Sequence, residues 1–431
     1  MQTTFTPAQL ADPHVAEAEK IVRTCVHCGF CTATCPTYVT LGNELDSPRG
    51  RIYLIKDMLE EGRAADAETV KHVDRCLSCL ACMTTCPSGV HYMHLVDGAR
   101  AHIEKTYARP LPDRLIRATL ARVLPYPRRF RAALTLARLG RPLAGLLDRA
   151  EALKPLAAML RLAPASLPKR AAQPAPSPVS APQAGRRVAI LGGCAQSVLD
   201  PGINQAAIRL LARFGVGVVP APGEGCCGAL THHLGREEEA LDFARVNVDA
   251  WTRLIEGGGL DAILVTTSGC GTVVKDYGFM LRLDPLYAEK AARVSKLAMD
   301  VSEYLATLDL PEAPNQNLTV AYHSACSMQH GQKIVRQPKA LLSRAGFVVR
   351  EPREGHLCCG SAGTYNILQP AIAAELQARK VRNVEATNAA LVATGNIGCM
   401  TQIGRASRLP VVHTVELLDW AYGGPKPAAL V

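Results

Sequence analysis

Residues 25–36 read CVHCGFCTATCP, and residues 76–87 read CLSCLACMTTCP. Both obey one spacing. Cys25, Cys28 and Cys31 recur every third position, and Cys35 follows with Pro36; Cys76, Cys79, Cys82 and Cys86-Pro87 repeat the pattern. Three thiolates at i, i+3 and i+6 can wrap three irons of a cube while turning backbone N–H groups toward its sulfides. In the two-cluster arrangement the fourth cysteine, with its proline, ligates the other cluster. The spacing therefore predicts two 4Fe–4S clusters, A held by Cys25, Cys28, Cys31 and Cys86, and B held by Cys76, Cys79, Cys82 and Cys35. Zinc sites use paired C-x-x-C groups, and this doubled three-plus-one pattern is not theirs.

Between the two motifs, Ser47 can cap a helix with Pro48 at its first position, and Gly62 can close it. Ile52, Ile55, Met58 and Leu59 then line one face as core. Arg49 and Arg51 stand at the same helix start, free to donate to cluster sulfides, to bind a partner's carboxylates, or simply to be solvated.

The rest of the composition agrees with a reduced, metal-binding chain. Of 431 residues 48% are apolar and 20% charged, which is neither disordered nor fibrous. Sixteen cysteines in so long a chain do not suggest a small disulfide framework. Residues 1–20 carry Asp12, Glu17 and Glu19 and no apolar core, so a secretory signal is not expected, and no run of eighteen apolar residues is present. The expected location is the cytoplasm. The net charge of +10 is local: between Arg100 and Arg170, 16 Lys/Arg face 4 Asp/Glu. That concentration argues for a docking surface and against general nucleic-acid binding.

Composition divides the chain into a helical cysteine-bearing part (1–110), an Arg-rich helical segment (111–162), an Ala/Pro linker (163–184), and two cysteine-rich repeats (185–310 and 311–431). The repeats are read from matched landmarks. RVAILG (187–192) runs into Cys194, and LTVAYH (318–323) runs into Cys326; Cys226-Cys227-Gly228 and Cys358-Cys359-Gly360 follow, then Cys270 and Cys399. Alternating strands and helices predict parallel βαβ units, so the expected fold is multidomain: a cysteine-bearing N-terminal part, then duplicated α/β repeats. Cysteines just past strand ends would gather at one sheet edge, where ligands of such folds sit.

Cys194, Cys226, Cys227 and Cys270, with Cys326, Cys358, Cys359 and Cys399, are thus candidates for a further cluster or for zinc. Adjacent cysteines can share one centre only through a turn, which Gly228 and Gly360 permit. His232, His233, His323 and His330 flank these cysteines; each reads first as a hydrogen-bonded histidine at the surface or around the site and not as a metal ligand, with proton handling as the functional alternative.

The doubled cysteine motif, the stretch Ser47-Pro48-Arg49-Gly50-Arg51 and the two Cys-Cys-Gly repeats together resemble the iron–sulfur subunits of bacterial glycolate oxidase (glycolate dehydrogenase). The resemblance covers nearly the whole chain. It is sharpest at Cys227-Gly228-Ala229-Leu230 followed by His232-His233, at Ser268-Gly269-Cys270-Gly271 and at Asn396-Ile397-Gly398-Cys399. It implies an α-helical ferredoxin domain with two 4Fe–4S clusters, FAD only on partner subunits that oxidise glycolate to glyoxylate, and a quinone or other electron acceptor. Wider relatives act with glycerol 3-phosphate, D-lactate or a heterodisulfide, and heterodisulfide-reductase-like repeats end in a further C-x-x-C. Here Val273 and Gln402 stand at that last position, which leaves four thiolates per repeat.

No G-x-G-x-x-G follows a strand, and no hydrolytic triad or zincin motif occurs, so no catalytic residue is assigned. The expected role is electron transfer; a cluster-stabilised scaffold is the rival. In the Arg-rich segment, Leu134, Leu139, Leu143, Leu146 and Leu147 give an apolar side to Arg138, Arg141 and Arg149. That side can pack on the ferredoxin domain, bind anionic lipid or dock an acidic subunit. A peripheral contact with the cytoplasmic face of the inner membrane, made through the complex, is the expectation.

Overall fold

Two four-stranded parallel sheets of identical topology form the C-terminal part of the computed structural model, which describes residues 1–150, 153–164, 166–168 and 185–431. Most of the expected linker, residues 165 and 169–184, lies outside the described residues.

The first sheet has the order β2-β1-β3-β4, from Arg187–Ile190 (β1), Gly217–Val218 (β2), Ala262–Val265 (β3) and Ala298–Asp300 (β4). The second has the order β6-β5-β7-β8, from Thr319–Tyr322 (β5), Val348–Arg350 (β6), Leu391–Thr394 (β7) and Val411–His413 (β8). The central registers match, with Val188 opposite Ala262 and Val320 opposite Leu391. All four residues of β3 and of β7 are buried, as expected of strands covered by helices on both faces.

The two sheets share one core. Ile203, Leu210 and Leu211 from the helix Gly202–Arg213 pack with Leu341 and Leu342 from Gln337–Arg344 and with Val415 and Leu418 from Thr414–Ala421. Full burial of each such side chain stabilises by about 1.5–3 kcal/mol. Across the same junction, buried Asp419 accepts from Arg209 and Arg213. The duplicated units are therefore one body, with their cysteine-bearing edges turned toward each other: Ser268 Oγ lies 2.7 Å from Ser327 Oγ, and Gln332 donates to the Ser268 carbonyl.

The N-terminal part is helical. Pro48–Glu60 is capped by Ser47, whose Oγ accepts from Gly50 N at 3.0 Å, and the chain turns at Gly62 with φ 61°. Its Ile52, Ile55 and Met58 join Ile21, Val70, Val73, Leu95, Val96 and Ile103 in a separate core. The helices Leu111–Val123 and Pro127–Gly140 bridge from this body toward the repeats. Arg117 is buried against Asp74 of the N-terminal body, whereas Leu120 packs on Leu234 and Ile367.

The N-terminal body meets the two repeats differently. Toward the first repeat it presents charge: Asp97 faces His232 and His233 at 3.4 Å each, His94 meets Asp276 at 2.9 Å, and Lys105 meets Glu237 at 3.0 Å. Toward the second it presents apolar side chains, with Leu77, Cys79 and Ala81 packed on Cys358, Tyr365, Ile372 and Leu376.

Candidate metal centres

The two N-terminal loops wrap in the same way. His27 and Gly29 in the first, and Ser78 and Leu80 in the second, all have left-handed backbones, with φ of 58°, 85°, 49° and 61°. They stand two and four residues after the first cysteine of each motif. Three of these four are not glycine, so the curl carries a steric cost that the surroundings must hold in place. The loops are joined where they end, by a 3.1 Å contact between Thr34 Oγ1 and Thr85 Oγ1.

Cys35, Cys76, Cys79 and Cys82 are all buried and line one cavity. The set assigned to cluster B, including the exchanged Cys35, thus converges. Burial pushes the Cys82 thiol well up, and neighbouring Cys79, Cys76 and Cys35 push it further. Such thiols stay protonated without a cation beside them, so metal loading there must displace protons. Arg51 is buried in the same wall. Its guanidinium donates to the His72 carbonyl at 2.6 Å and to Thr37 Oγ1 at 2.9 Å, and reaches Cys35 Sγ at 3.9 Å. Asp46, fully buried, is the carboxylate that Arg51 (3.5 Å), Arg75 (2.8 Å) and His72 (2.9 Å) share. Arg51 is thus a donor to the Cys35 sulfur, whereas Arg49 turns outward to Glu44.

The set assigned to cluster A is nearer the surface: Cys25 is buried, Cys31 and Cys86 are partly covered and Cys28 is exposed. Burial pushes the Cys31 thiol up to about 11. Val26 and Phe30, beside Cys28, are about two-thirds exposed (67% and 64%).

In each repeat the cysteines follow strand ends. Cys194 comes after β1 and Cys270 after β3, while Cys226 and Cys227 follow β2; the second repeat places Cys326, Cys399, Cys358 and Cys359 likewise. The thiols form a row in each. Cys194 and Cys226 are 3.4 Å apart, and the row continues through Cys227 to Cys270. Cys326 and Cys358 are 3.7 Å apart, Cys358 meets Cys359, and Cys359 lies 3.5 Å from Cys399. Gly228 and Gly360 make the turn that lets adjacent cysteines share a site, with φ of 81° and 87°. A Cβ at either glycine would meet the carbonyl oxygen of Ala240 or Ala373.

Both rows open onto one cavity of about 610 Å³, which all eight cysteines line. Its opposite wall is apolar and comes from the Arg-rich segment: Leu120, Leu124, Phe130, Leu134, Met159 and Leu160. Cys79 stands against the second row, since Cys326 adds to the burial that raises its thiol, and Cys79 in turn raises Cys358. All sixteen cysteines are free thiols, a donor set that fits soft metals and iron–sulfur clusters.

The flanking histidines divide. His232 and His233 share Asp97, and His330 contacts Thr84 Oγ1 and the His356 carbonyl. His323 does not behave as a hydrogen-bonded structural histidine: neither ring nitrogen has a partner among the described residues. Of the leucines on the Arg-rich segment, Leu134 is core, but Leu139, Leu143 and Leu146 are exposed beside exposed Arg138 and Arg141. No helix among the described residues is long and apolar enough to cross a membrane.

Two family models match this architecture: a 4Fe-4S dicluster domain over residues 21–90, and a cysteine-rich domain over residues 188–275 and again over 320–404. Fold and thiol sites together define an iron–sulfur protein in which a dicluster ferredoxin module precedes a duplicated cysteine-rich module. The chain is 44% identical to the glycolate oxidase iron-sulfur subunit of Escherichia coli (strain K12), over 98% of this chain and 99% of that one. It is 32% identical to the "Probable glycolate oxidase iron-sulfur subunit" of Bacillus subtilis (strain 168), over 93% and 94%. The chain belongs to the family of glycolate oxidase iron–sulfur subunits. Lactate utilization protein A of Bacillus subtilis is 25% identical over 54% of this chain and 99% of its own. A crystal structure of a hypothetical protein from Helicobacter pylori shares the fold at a TM-score of 0.55 and 10% identity, covering 97% of this chain and 74% of that one.

Proposed function

We propose that the chain is the electron-transfer subunit of a glycolate dehydrogenase complex. It takes electrons from a flavin-containing partner that oxidises glycolate to glyoxylate and passes them to a quinone-type acceptor. Two electrons and two protons leave glycolate and reduce one quinone to quinol. Cys25, Cys28, Cys31 and Cys86 hold one 4Fe–4S cluster, and Cys76, Cys79, Cys82 and Cys35 hold the other. The eight repeat cysteines hold a further cluster or zinc. Bound in these sites, the clusters supply one-electron chemistry, which divides a flavin's two-electron reduction into single steps.

The observation that carries this reading is the contact of the buried N-terminal quartet with the second row of repeat cysteines, through Cys79, Cys326 and Cys358. Thiol sites therefore continue from one module into the next. On the outer side, Val26 and Phe30 next to exposed Cys28 offer an apolar patch for a partner subunit. On the inner side, the apolar wall opposite the repeat cysteines suits a quinone. The exposed leucines and arginines beyond that wall support a peripheral contact with an anionic bilayer at the cytoplasmic face.

Cys79→Ser in the assembled complex tests the reading. We expect assembly and glycolate-dependent dye reduction at the flavin to persist, while quinone-linked turnover falls by roughly a hundredfold or more. Unchanged quinone-linked turnover would overturn electron transfer through this chain, and loss of assembly would favour the scaffold.

A further inference from the structure

His323 occupies a position that the first repeat gives to a leucine. Leu191 and His323 each directly follow the first strand of their repeat, and their backbone N–H groups make the same bond, to Leu264 at 2.9 Å and to Ala393 at 2.8 Å. Leu191 packs into the apolar core behind its sheet. His323 is 1% exposed, and neither Nδ1 nor Nε2 has a hydrogen-bond partner among the described residues. The other buried histidines are all satisfied: His72 by Asp46, His330 by Thr84 and His356, and His413 by the Thr266 carbonyl and Val415 N. A buried imidazole with no partner is costly, and a native chain keeps one for a reason.

The missing partner is identified by what surrounds the ring. One nitrogen of His323 and the sulfurs of Cys359 and Cys399 all lie within 4.8 Å of one another, and the two sulfurs are 3.5 Å apart. Ligands at roughly 2.0–2.3 Å from a tetrahedral metal stand about 3.3–3.8 Å apart, so this sulfur pair already has the spacing of two ligands on one ion. The 3.5 Å separation is too long for a disulfide. Asn396 Nδ2 donates to Cys399 Sγ at 3.4 Å, the kind of outer contact that orients a ligating thiolate.

Resting on the reading that the repeat cysteines hold metal, we infer that His323 is itself a ligand. With Cys359 and Cys399 it forms a mixed nitrogen–sulfur site for a first-row metal, either zinc or one iron of a cluster. The first repeat, with Leu191 at this position, offers thiolates only. The duplicated sites are therefore chemically distinct.

The test uses the intact complex purified anaerobically, as wild type, His323→Ala and His323→Cys, with histidine labelled by 14N or 15N. If the metal is iron, the reduced wild type shows a histidine-nitrogen hyperfine coupling in electron–nuclear double resonance that changes with the isotope and vanishes in both variants. If it is zinc, the zinc absorption edge of the wild type reports one nitrogen at about 2.0–2.1 Å, replaced by sulfur in His323→Cys. His323→Cys is expected to retain full metal content, which keeps the test open if His323→Ala fails to fold. A wild type holding metal beyond eight irons, but with neither a histidine coupling at iron nor a nitrogen at zinc, would overturn the ligand assignment alone. A wild type with eight irons and no zinc would overturn the reading of the repeats, and the assignment with it.

Discussion

In the first repeat the cysteine row is edged by Leu191, Glu224 and Asn247; at the equivalent places in the second stand His323, His356 and Lys380. Glu224 and His356 come two residues before each double cysteine. Asn247 and Lys380 come seven residues after the alanine whose carbonyl meets the turn glycine. Asn247 donates to the Cys226 carbonyl and to Tyr277 Oη, while Lys380 donates to the Glu354 carbonyl. Burial pushes the Glu224 carboxyl up to about 7, and its Oε1 accepts from Gly192 N at 2.8 Å. One row thus sits in neutral or acidic surroundings and the other beside a buried cation. The duplication kept strand order, register and the left-handed turn, and left the side chains free to set each site separately.

That difference can be broken at the backbone first. Gly360→Ala would bring a Cβ to 2.5 Å from the Ala373 carbonyl oxygen, and Gly228→Ala to 2.9 Å from that of Ala240, both at positive φ. We expect a loss of about 3 kcal/mol or more for Gly360→Ala and a smaller one for Gly228→Ala, read by thermal unfolding. The reverse order would contradict the closer approach at Gly360 as the source of the difference.

Charge comes next. Lys380→Met removes the cation beside the second row, so a redox centre there should move to lower potential by on the order of tens of millivolts. Asn247→Met should leave that potential unmoved, since Asn247 belongs to the first row. A redox titration followed spectroscopically separates them, and equal shifts would remove the distinction.

The contacts with the N-terminal body give a third contrast, this time in pH. Burial lowers His232, but the Asp97 carboxylate more than offsets it, so the folded value lies above the ordinary one. A raised folded value contributes stability that is complete below about pH 6.5 and is lost as pH rises through that raised value. Asp97, held well below the usual carboxylate range by His232 and His233 despite its burial, stays charged throughout that window. Asp97→Asn should therefore cost about 1 kcal/mol near pH 6 and progressively less above neutrality, in unfolding curves measured across pH. A penalty independent of pH would mean that the pair of Asp97 with Arg100, at 3.4 Å, carries the contact and the histidines do not. The smallest effect is expected on the apolar side. Tyr365→Phe removes one neutral hydrogen bond, from Tyr365 Oη to the Arg75 carbonyl at 3.0 Å, worth about 0.5 kcal/mol at any pH.

Much of this architecture is written locally in the chain. The parallel sheets follow from short apolar strands alternating with helices, and the turns at Gly228 and Gly360 follow from a glycine directly after paired cysteines. The helix after Ser47 follows from its cap, its proline and its apolar spacing. What escapes a sequence reading depends on contacts between distant segments. Ser78 and Leu80 have no local preference for a left-handed backbone; the packed loop imposes it. Arg51 looks like a surface arginine at a helix start until Asp46, Thr37 and the His72 carbonyl close around it. The meeting of Cys79 with Cys326 and Cys358 joins residues more than two hundred positions apart, and nothing near any of them announces it. His323 stands next to a cysteine-rich stretch, but its lack of a partner emerges only when the neighbouring elements are in place.

The central claim, that electrons from glycolate reach the thiol-bound centres of this chain, is tested most directly by titrating the anaerobically purified complex with glycolate while recording electron paramagnetic resonance. We predict that substoichiometric glycolate produces reduced iron–sulfur signals, and that Cys79→Ser removes those of the buried N-terminal quartet. A flavin that bleaches while every cluster stays oxidised would contradict the account.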